Sequence, residues 1–227
     1  MTARSSDKQE SQARLEATRK ITSIKIQKRN PHRVNIYLDG EFAFGLARLV
    51  AAWLTVGQEL SDEKIARLQA EDTQEVAYQQ ALKFLNFRQR AQAEVERNLK
   101  EHQFSAEVIT GVVERLSRSG FLDDDRFAQA WVENRSEFRP RGGNLLRLEL
   151  RQRGLQEEAI EDALQGIDEE ELAYRAGVKN ARKLDGLDWN QFRKKMYSFL
   201  ARRGFNYEII SPVVERIWNE KGSGHTE

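Results

Sequence analysis

Hydrophobic positions follow two different periods along this chain. Between residues 21 and 45, apolar residues alternate with polar ones in three runs, and Asp39-Gly40 stands between the second and third runs. Alternation is typical of strands, and Asp-Gly between alternating runs is a hairpin signal. The pattern predicts a three-stranded antiparallel meander over residues 21–45. Short helices are predicted near 46–54 and over 61–70.

From residue 74 onward the apolar spacing is helical, with i, i+4 pairs such as Val95 and Leu99. The spacing predicts nine helices, near 74–86, 90–102, 105–118, 123–137, 142–153, 156–165, 168–184, 188–203 and 206–218. Pro212 falls inside the last pattern, so a kink or a first-turn position is expected there.

The helical region contains an internal repeat with a period of about 50 residues. In each copy a leucine stands five residues before a bulky apolar residue, and His or Arg stands two places before that apolar residue. The three copies are Leu99–Phe104, Leu150–Leu155 and Leu200–Phe205. Gly154 and Gly204 stand where the second helix must stop in a left-handed conformation, whereas Gln103 holds that place at some conformational cost. Such a period indicates stacked helical units, which usually build binding surfaces and not catalytic pockets.

The predicted fold is mainly α, an elongated array of three tandem three-helix repeats behind a small β-containing domain. The expected boundaries are a disordered tail at 1–19, an N-terminal domain at 20–72, repeats at 73–121, 122–167 and 168–219, and a flexible tail at 220–227.

Composition excludes several classes of protein. Only 39% of the residues are hydrophobic and 32% are charged, which suits thin units that each bury one stripe. Cysteine is absent, which excludes disulfides and thiolate metal sites. Residues 1–20 are polar and lack the apolar core that a signal peptide needs, and no apolar run approaches the ~20 residues of a membrane helix. A soluble cytoplasmic protein is expected.

No enzyme signature, cofactor site or metal site is evident, and none is expected. The three histidines are far apart, and Gly142-Gly143 lacks the remainder of a phosphate-binding loop. That pair favours a helix-starting turn over a phosphate site. The acids at 123–125 and 168–171 favour first helical turns, where they complement the helix dipole, over a cation site.

Basic residues recur in phase with the repeat, although 37 basic and 36 acidic residues give a net charge of only +1. One interpretation is a set of solvated helix faces, and the other is an aligned stripe for phosphates or an acidic protein surface. The candidate binding residues are Arg88, Arg90, Lys100, Arg135, Arg139, Arg141, Arg147, Arg151, Arg153, Arg193, Lys194, Lys195, Arg202 and Arg203.

The stretch from Gly120-Phe121-Leu122-Asp123-Asp124 through Phe127-Ala128 to Trp131-Val132 resembles the signature of the RecX family, regulators of the RecA recombinase. Pro140-Arg141-Gly142 and the run 145–150 also match, and the resemblance covers about residues 21–218. Gln103 departs from the family's usual glycine. Of the signature residues Gly120, Phe121, Asp123, Asp124, Phe127 and Trp131, the glycine and the three aromatic residues are assigned to a buried cluster at the junction of repeats 1 and 2.

The resemblance implies a non-enzymatic inhibitor, expected to be a monomer, that binds in the groove of the RecA filament on single-stranded DNA. It would limit filament growth, strand exchange, ATP hydrolysis and co-protease activity. The alternative is a stand-alone helical-repeat protein that binds DNA without RecA.

Overall fold

The computed structural model describes residues 18–223 and begins with a four-stranded antiparallel sheet. The predicted meander is confirmed as β1 (Thr18–Gln27), β2 (Asn30–Leu38) and β3 (Glu41–Ala47). A short β4 (Glu59–Ser61) pairs with the start of β1 and completes the order β3-β2-β1-β4. The predicted short helix is only the 3-10 turn Val50–Trp53, because Leu46 and Ala47 still pair with β2.

The first helix, α1 (Asp62–Leu85), is continuous over 24 residues, whereas the sequence predicted two helices. The segment between the two predicted helices contains Asp72, which is buried. Its carboxylate binds Arg33 at 2.8 Å and accepts a hydrogen bond from the Ala47 amide. The aspartate therefore faces the sheet, and no glycine or proline breaks the helix.

Eight further helices follow between residues 92 and 223 and confirm the predicted three-helix repeats. They are α2 (Gln92–Glu101), α3 (Ala106–Arg118), α4 (Asp124–Phe138), α5 (Gly143–Arg153), α6 (Glu157–Leu164), α7 (Glu169–Ala181), α8 (Trp189–Arg202) and α9 (Tyr207–Ser223). The 3-10 turn Arg182–Leu184 continues α7. Pro212 lies inside α9, beyond its first turn. Among the second helices, α8 has 14 residues against 10 in α2 and 11 in α5.

Local sequence explains where these helices begin and end. Asp123 and Asp168 cap α4 and α7 by accepting the amides of Arg126 and Glu171, which confirms the structural interpretation of the two acidic runs. Gly154 and Gly204 have φ of +88° and +89°, and Gln103 has φ of +63° at the equivalent place. The left-handed stop of the second helix is therefore common to all three repeats.

The chain divides into two compact units. Among the described residues, the N-terminal unit contains 18–87 together with 98–116, and the C-terminal unit contains 88–97 and 117–223. One apolar core joins the sheet to α1, through residues such as Ile36, Leu60 and Ile65. The C-terminal unit has a core around Leu146 and Leu150 and another around Met196 and Leu200.

Both predicted tails lie mainly outside the described residues. Residues 18 and 19 belong to β1, and α9 continues to Ser223, further than the predicted 218. His225 lies outside the described range.

Candidate partner-binding surface

Successive repeats of the C-terminal unit meet through the glycine that ends a second helix. A Cβ on Gly154, after α5, would lie 2.4 Å from the Cβ of Ala93 in the first turn of α2. A Cβ on Gly204, after α8, would lie 2.6 Å from the amide nitrogen of Leu145 in the first turn of α5. Both glycines therefore combine positive φ with close approach to the preceding repeat.

The arginine before each of these glycines reaches the same neighbouring turn. Arg153 forms an ion pair with Glu94 at 2.8 Å. Arg203 donates to the carbonyl oxygen of Pro140 at 3.0 Å, and its own carbonyl accepts the Gly142 amide at 2.8 Å. The phase of the basic residues, which the sequence predicted, thus places equivalent arginines at equivalent junctions.

Trp131, on α4, is linked by side-chain contacts to both junctions, directly through Arg153 and indirectly through Glu149 and Arg141. The guanidinium groups of Arg135 and Arg153 lie over its ring, 4.2 and 4.5 Å from the centroid. Its indole N–H donates to Glu149 at 2.9 Å, and the same carboxylate binds Arg135 and Arg141. Cation–π contacts with partly desolvated arginines contribute on the order of 1 kcal/mol each.

Positive charge exceeds negative charge in this region. Glu94 pairs with Arg88, Arg90 and Arg153, and Glu149 pairs with Arg135 and Arg141. We call the whole set the arginine cluster; it consists of Arg88, Arg90, Arg135, Arg139, Arg141, Arg153 and Arg203 around these two glutamates.

The pKa values of the cluster reflect that surplus. Burial, followed by the charges of Arg135, Arg203 and Arg139, lowers the pKa of Arg141 below its ordinary value. Burial and the charge of Arg139 lower the pKa of Arg203 in the same way. Arginine nonetheless stays protonated at neutral pH, so the cluster holds uncompensated positive charge.

Two other predicted residues do not join the cluster. Arg147 and Arg151 project from α5 towards α6, where they pair with Glu161 and Glu157 at 2.6 and 2.9 Å. These hydrogen bonds raise the pKa of both arginines. Each charge is therefore matched by its own glutamate.

The remaining predicted cations outside the cluster, together with Arg139 of the cluster, are exposed. Lys194, Lys195 and Arg202 on α8, Arg139 after α4, and Lys100 on α2 make no ion pair within residues 18–223. Arg193 lies over the ring of Tyr197 at 5.3 Å, and Tyr197 in turn contacts Tyr207. These groups are accessible to a partner without breaking an ion pair of the fold.

The aromatic cluster of the signature is only partly as predicted. Phe127 is buried and stacks on Trp131 at 5.8 Å between centroids. The burial predicted for Phe121 is wrong, because 55% of this residue is exposed. Gly120 turns the chain with φ of +72°, and the next buried side chain is Leu122.

Sequence reasoning missed Glu94 and Glu149, the two acids that organise the cluster. A local signal existed for Glu94, which follows Arg90 at i+4. Asp124 has a further role, because its carboxylate accepts the Gln92 amide at 2.8 Å at the start of α2. Burial raises the pKa of Asp124, and the neighbouring acids add to this effect.

Neither a metal centre nor a membrane helix is present in the described part of the chain. No group of three or more histidines or acids between residues 18 and 223 is arranged to hold a metal ion. None of the helices in that range has the length and apolar character that a bilayer requires.

Four family models match consecutive parts of the chain. They are the regulatory protein RecX N-terminal domain at 19–61 and the first, second and third three-helix domains of RecX at 77–116, 123–164 and 168–214. The architecture is thus that of a helical-repeat regulatory protein.

Individual relatives agree with these models. The regulatory protein RecX of Bacillus subtilis is 34% identical over 203 residues, which cover 87% of this chain and 76% of the relative. That of Clostridium botulinum (strain Alaska E43) is 30% identical, with 88% and 97% covered. A crystal structure of regulatory protein RecX superposes with a TM-score of 0.72 at 29% identity, covering 87% of this chain and 99% of that one. The chain belongs to the RecX family of non-enzymatic regulatory proteins.

Proposed function

We propose that this protein is a modulator of RecA that binds in the groove of the RecA filament on single-stranded DNA. In that position it limits filament growth, strand exchange, ATP hydrolysis and co-protease activity, in the cytoplasm where RecA works. Membership of the RecX family supports the partner. The observation that carries the mode of binding is the arginine cluster.

Excess positive charge suits a nucleoprotein filament, because such a filament offers both phosphates and acidic protein side chains. The cluster's interior arginines hold the junctions together, as Arg153 does with Glu94 and Arg203 with Pro140. Arg139, an exposed member that makes no ion pair among residues 18–223, and the exposed cations of α8 are left to make the contacts. We infer that the fold uses some arginines for rigidity and others for recognition.

The test compares two double variants that lose the same number of arginines. Arg139→Ala with Arg202→Ala removes exposed cations, and Arg147→Ala with Arg151→Ala removes cations already matched by glutamates. The measurement is inhibition of RecA ATP hydrolysis on single-stranded DNA as a function of the concentration of each protein.

The first variant should need about 10-fold more protein for half-inhibition, since each lost exposed charge contact weakens binding by up to about 1 kcal/mol. The second variant should stay within about 2-fold of the unaltered chain, a change of only about 0.4 kcal/mol. Inhibition impaired only in the second variant would show that the wrong surface has been assigned.

One observation favours the alternative of DNA binding without RecA. Arg193, Tyr197 and the 65% exposed Tyr207 form a cation and aromatic group of the kind on which bases of a single strand stack. Anisotropy of a labelled oligonucleotide, titrated with this protein at several salt concentrations without RecA, separates the two. Tight, salt-steep binding favours the alternative, and weak binding favours the RecA-dependent function.

A further inference from the structure

A cleft in the N-terminal unit has the shape and charge of a ligand site, and none of its lining residues belongs to the arginine cluster. Its volume is about 580 Å³. Sites for small molecules typically measure about 300–1,000 Å³. Volume alone does not distinguish it, because the structure has other cavities of about 510, 760 and 370 Å³.

Three separate elements build the cleft. The hairpin and the end of β3 supply His32 and Arg48, which are adjacent because the Arg48 amide donates to the His32 carbonyl at 2.8 Å. One face of α1 supplies residues 76, 79, 80 and 83, which follow the i, i+3, i+4, i+7 spacing of a helix stripe. The turn after α2 supplies His102 and Phe104 on either side of the left-handed Gln103.

The charges lining this cleft do not cancel. Arg33 is matched by Asp72, and Glu75, the single acid of the lining, is matched by Arg115 at 2.8 Å. Arg48 and Lys83 have no ion-pair partner among residues 18–223. By contrast, the 510 Å³ cavity of the C-terminal unit is lined by several acids and one arginine. The net positive charge therefore singles out this cleft.

His102 contributes a ring whose two nitrogens both have hydrogen-bond partners. Its Nδ1 lies 2.8 Å from the carbonyl oxygen of Asn98 and so carries the proton in the neutral ring. Its Nε2 lies 3.1 Å from the amide nitrogen of Gln80, which donates to it. In the other two repeats the equivalent residues, Arg153 and Arg203, bind a neighbouring repeat, whereas His102 faces the cleft.

The lining also offers apolar surface beside these polar groups. Val76 is 38% exposed, although it lies on a helix of the core, and Phe104 and the exposed Leu49 lie on the same cleft. An aromatic ring covers such a surface, and a phosphate complements free cations. The amide nitrogens of Gln79 and Gln80 already donate to Glu75 and His102, so the side-chain oxygens of these glutamines are the groups that can accept from the polar edge of the ring.

We propose that this cleft binds a nucleoside phosphate, with the base against Val76 and Phe104 and the phosphate between Arg48 and Lys83. The ligand is either a free nucleotide or one nucleotide of a single strand, which share this chemistry. No residue that lines the cleft is among those assigned to contact with RecA.

The experiment uses the full chain without RecA and two probes, AMP and the tetranucleotide of thymidylate. Binding is measured by saturation-transfer NMR and calorimetry. The cleft variants are Arg48→Ala with Lys83→Ala, and Val76→Glu, which places a negative charge on the apolar floor. The control, Lys64→Ala with Arg67→Ala, removes one lysine and one arginine from the same unit outside this cleft.

At least one probe should bind, at least 10-fold more weakly to both cleft variants and equally well to the control. If AMP shows this dependence, the cleft takes free nucleotides; if only the tetranucleotide does, it takes a strand. Absence of binding of both probes at millimolar concentration, or equal binding to all variants, would overturn the proposal. Neither of those results bears on RecA inhibition, which is measured separately.

Discussion

Replacing Gly204 by alanine should destabilise the C-terminal unit by two effects that the structure allows to be separated. Gly204 has a φ of +89°, and a residue with a Cβ in that conformation lowers the free energy of unfolding by about 1–2 kcal/mol. A Cβ there would also lie 2.4 Å from the Cβ of Leu145 and 2.6 Å from its amide nitrogen. Overpacking of this kind typically costs about 1–3 kcal/mol.

The reduced entropy of the unfolded chain offsets about 0.4–1 kcal/mol of that sum, so Gly204→Ala should lose about 2–4 kcal/mol. Two further variants isolate the effects. Gly166→Ala has φ of +76° with nothing within 4 Å of the added Cβ, and should lose only about 1 kcal/mol. Gly142→Ala has φ of −75° but would place its Cβ 2.4 Å from the carbonyl oxygen of Gly204, and should lose about 1–3 kcal/mol.

Urea denaturation followed by tryptophan fluorescence measures these losses. Trp131, Trp189 and Trp218 lie in the C-terminal unit, whereas Trp53, in the other unit, is already 88% exposed and should respond little. Because Gly142 and Gly204 face each other, their double variant should lose less than the sum of the single losses. An unchanged midpoint for Gly142→Ala, or a loss in Gly166→Ala equal to that in Gly204→Ala, would refute close approach as a cause.

Three other variants test further features. Gln103→Gly should raise the free energy of unfolding by about 0.5–1 kcal/mol, because it relieves a φ of +63°, and a lower melting temperature would contradict this. Burial alone would raise the pKa of Glu94, but the Arg88 hydrogen bond, the Ala91 amide and the arginine charges lower it overall. The stability that this carboxylate contributes is therefore complete above about pH 4.5 and is lost as the pH falls through the depressed pKa. Glu94→Gln should lose about 2 kcal/mol at pH 7 and progressively less in acid, as measured by urea titrations at several pH values, and a pH-independent loss would count against it. Trp131→Phe should lose about 1 kcal/mol through the indole bond to Glu149, with Phe127→Leu as the packing comparison, and equal stability would show that the bond contributes nothing.

Much of the fold could be predicted from local patterns. Alternation located β1 to β3, and the recurring leucines located the second helix of each repeat. The exceptions depend on tertiary contacts: Asp72 sits inside a continuous α1 because Arg33 from the sheet binds it. Leu122 and not Phe121 is buried after Gly120, and their adjacent positions in the sequence do not distinguish the two.

Less of the candidate binding surface could be predicted from the sequence. The arginines recur in phase with the repeat, but the sequence did not indicate which of them are matched by acids. Arg153 and its partner Glu94 are 59 residues apart, so only the stacking of repeats brings them together. Arg147 and Arg151 look equivalent to the others in sequence, and only the placement of α6 shows that Glu161 and Glu157 neutralise them.

The extra turn of α8 limits how many repeats this chain can hold. Aligned on Leu99, Leu150 and Leu200, α2 and α5 begin at the same place, whereas α8 begins one turn earlier, at Trp189. By analogy with Gly154 on Ala93 and Gly204 on Leu145, the glycine of a fourth repeat would approach the N-terminal half of α8, where that turn is followed by the exposed Lys194 and Lys195. At the first repeat, the exposed Gln103 carries a side chain at the position that is Gly154 and Gly204 in the other two repeats. Those glycines lie so close to the preceding repeat that a Cβ does not fit. Adding a fourth repeat, as a gene duplication would, therefore requires further substitutions at whichever end of the series it joins.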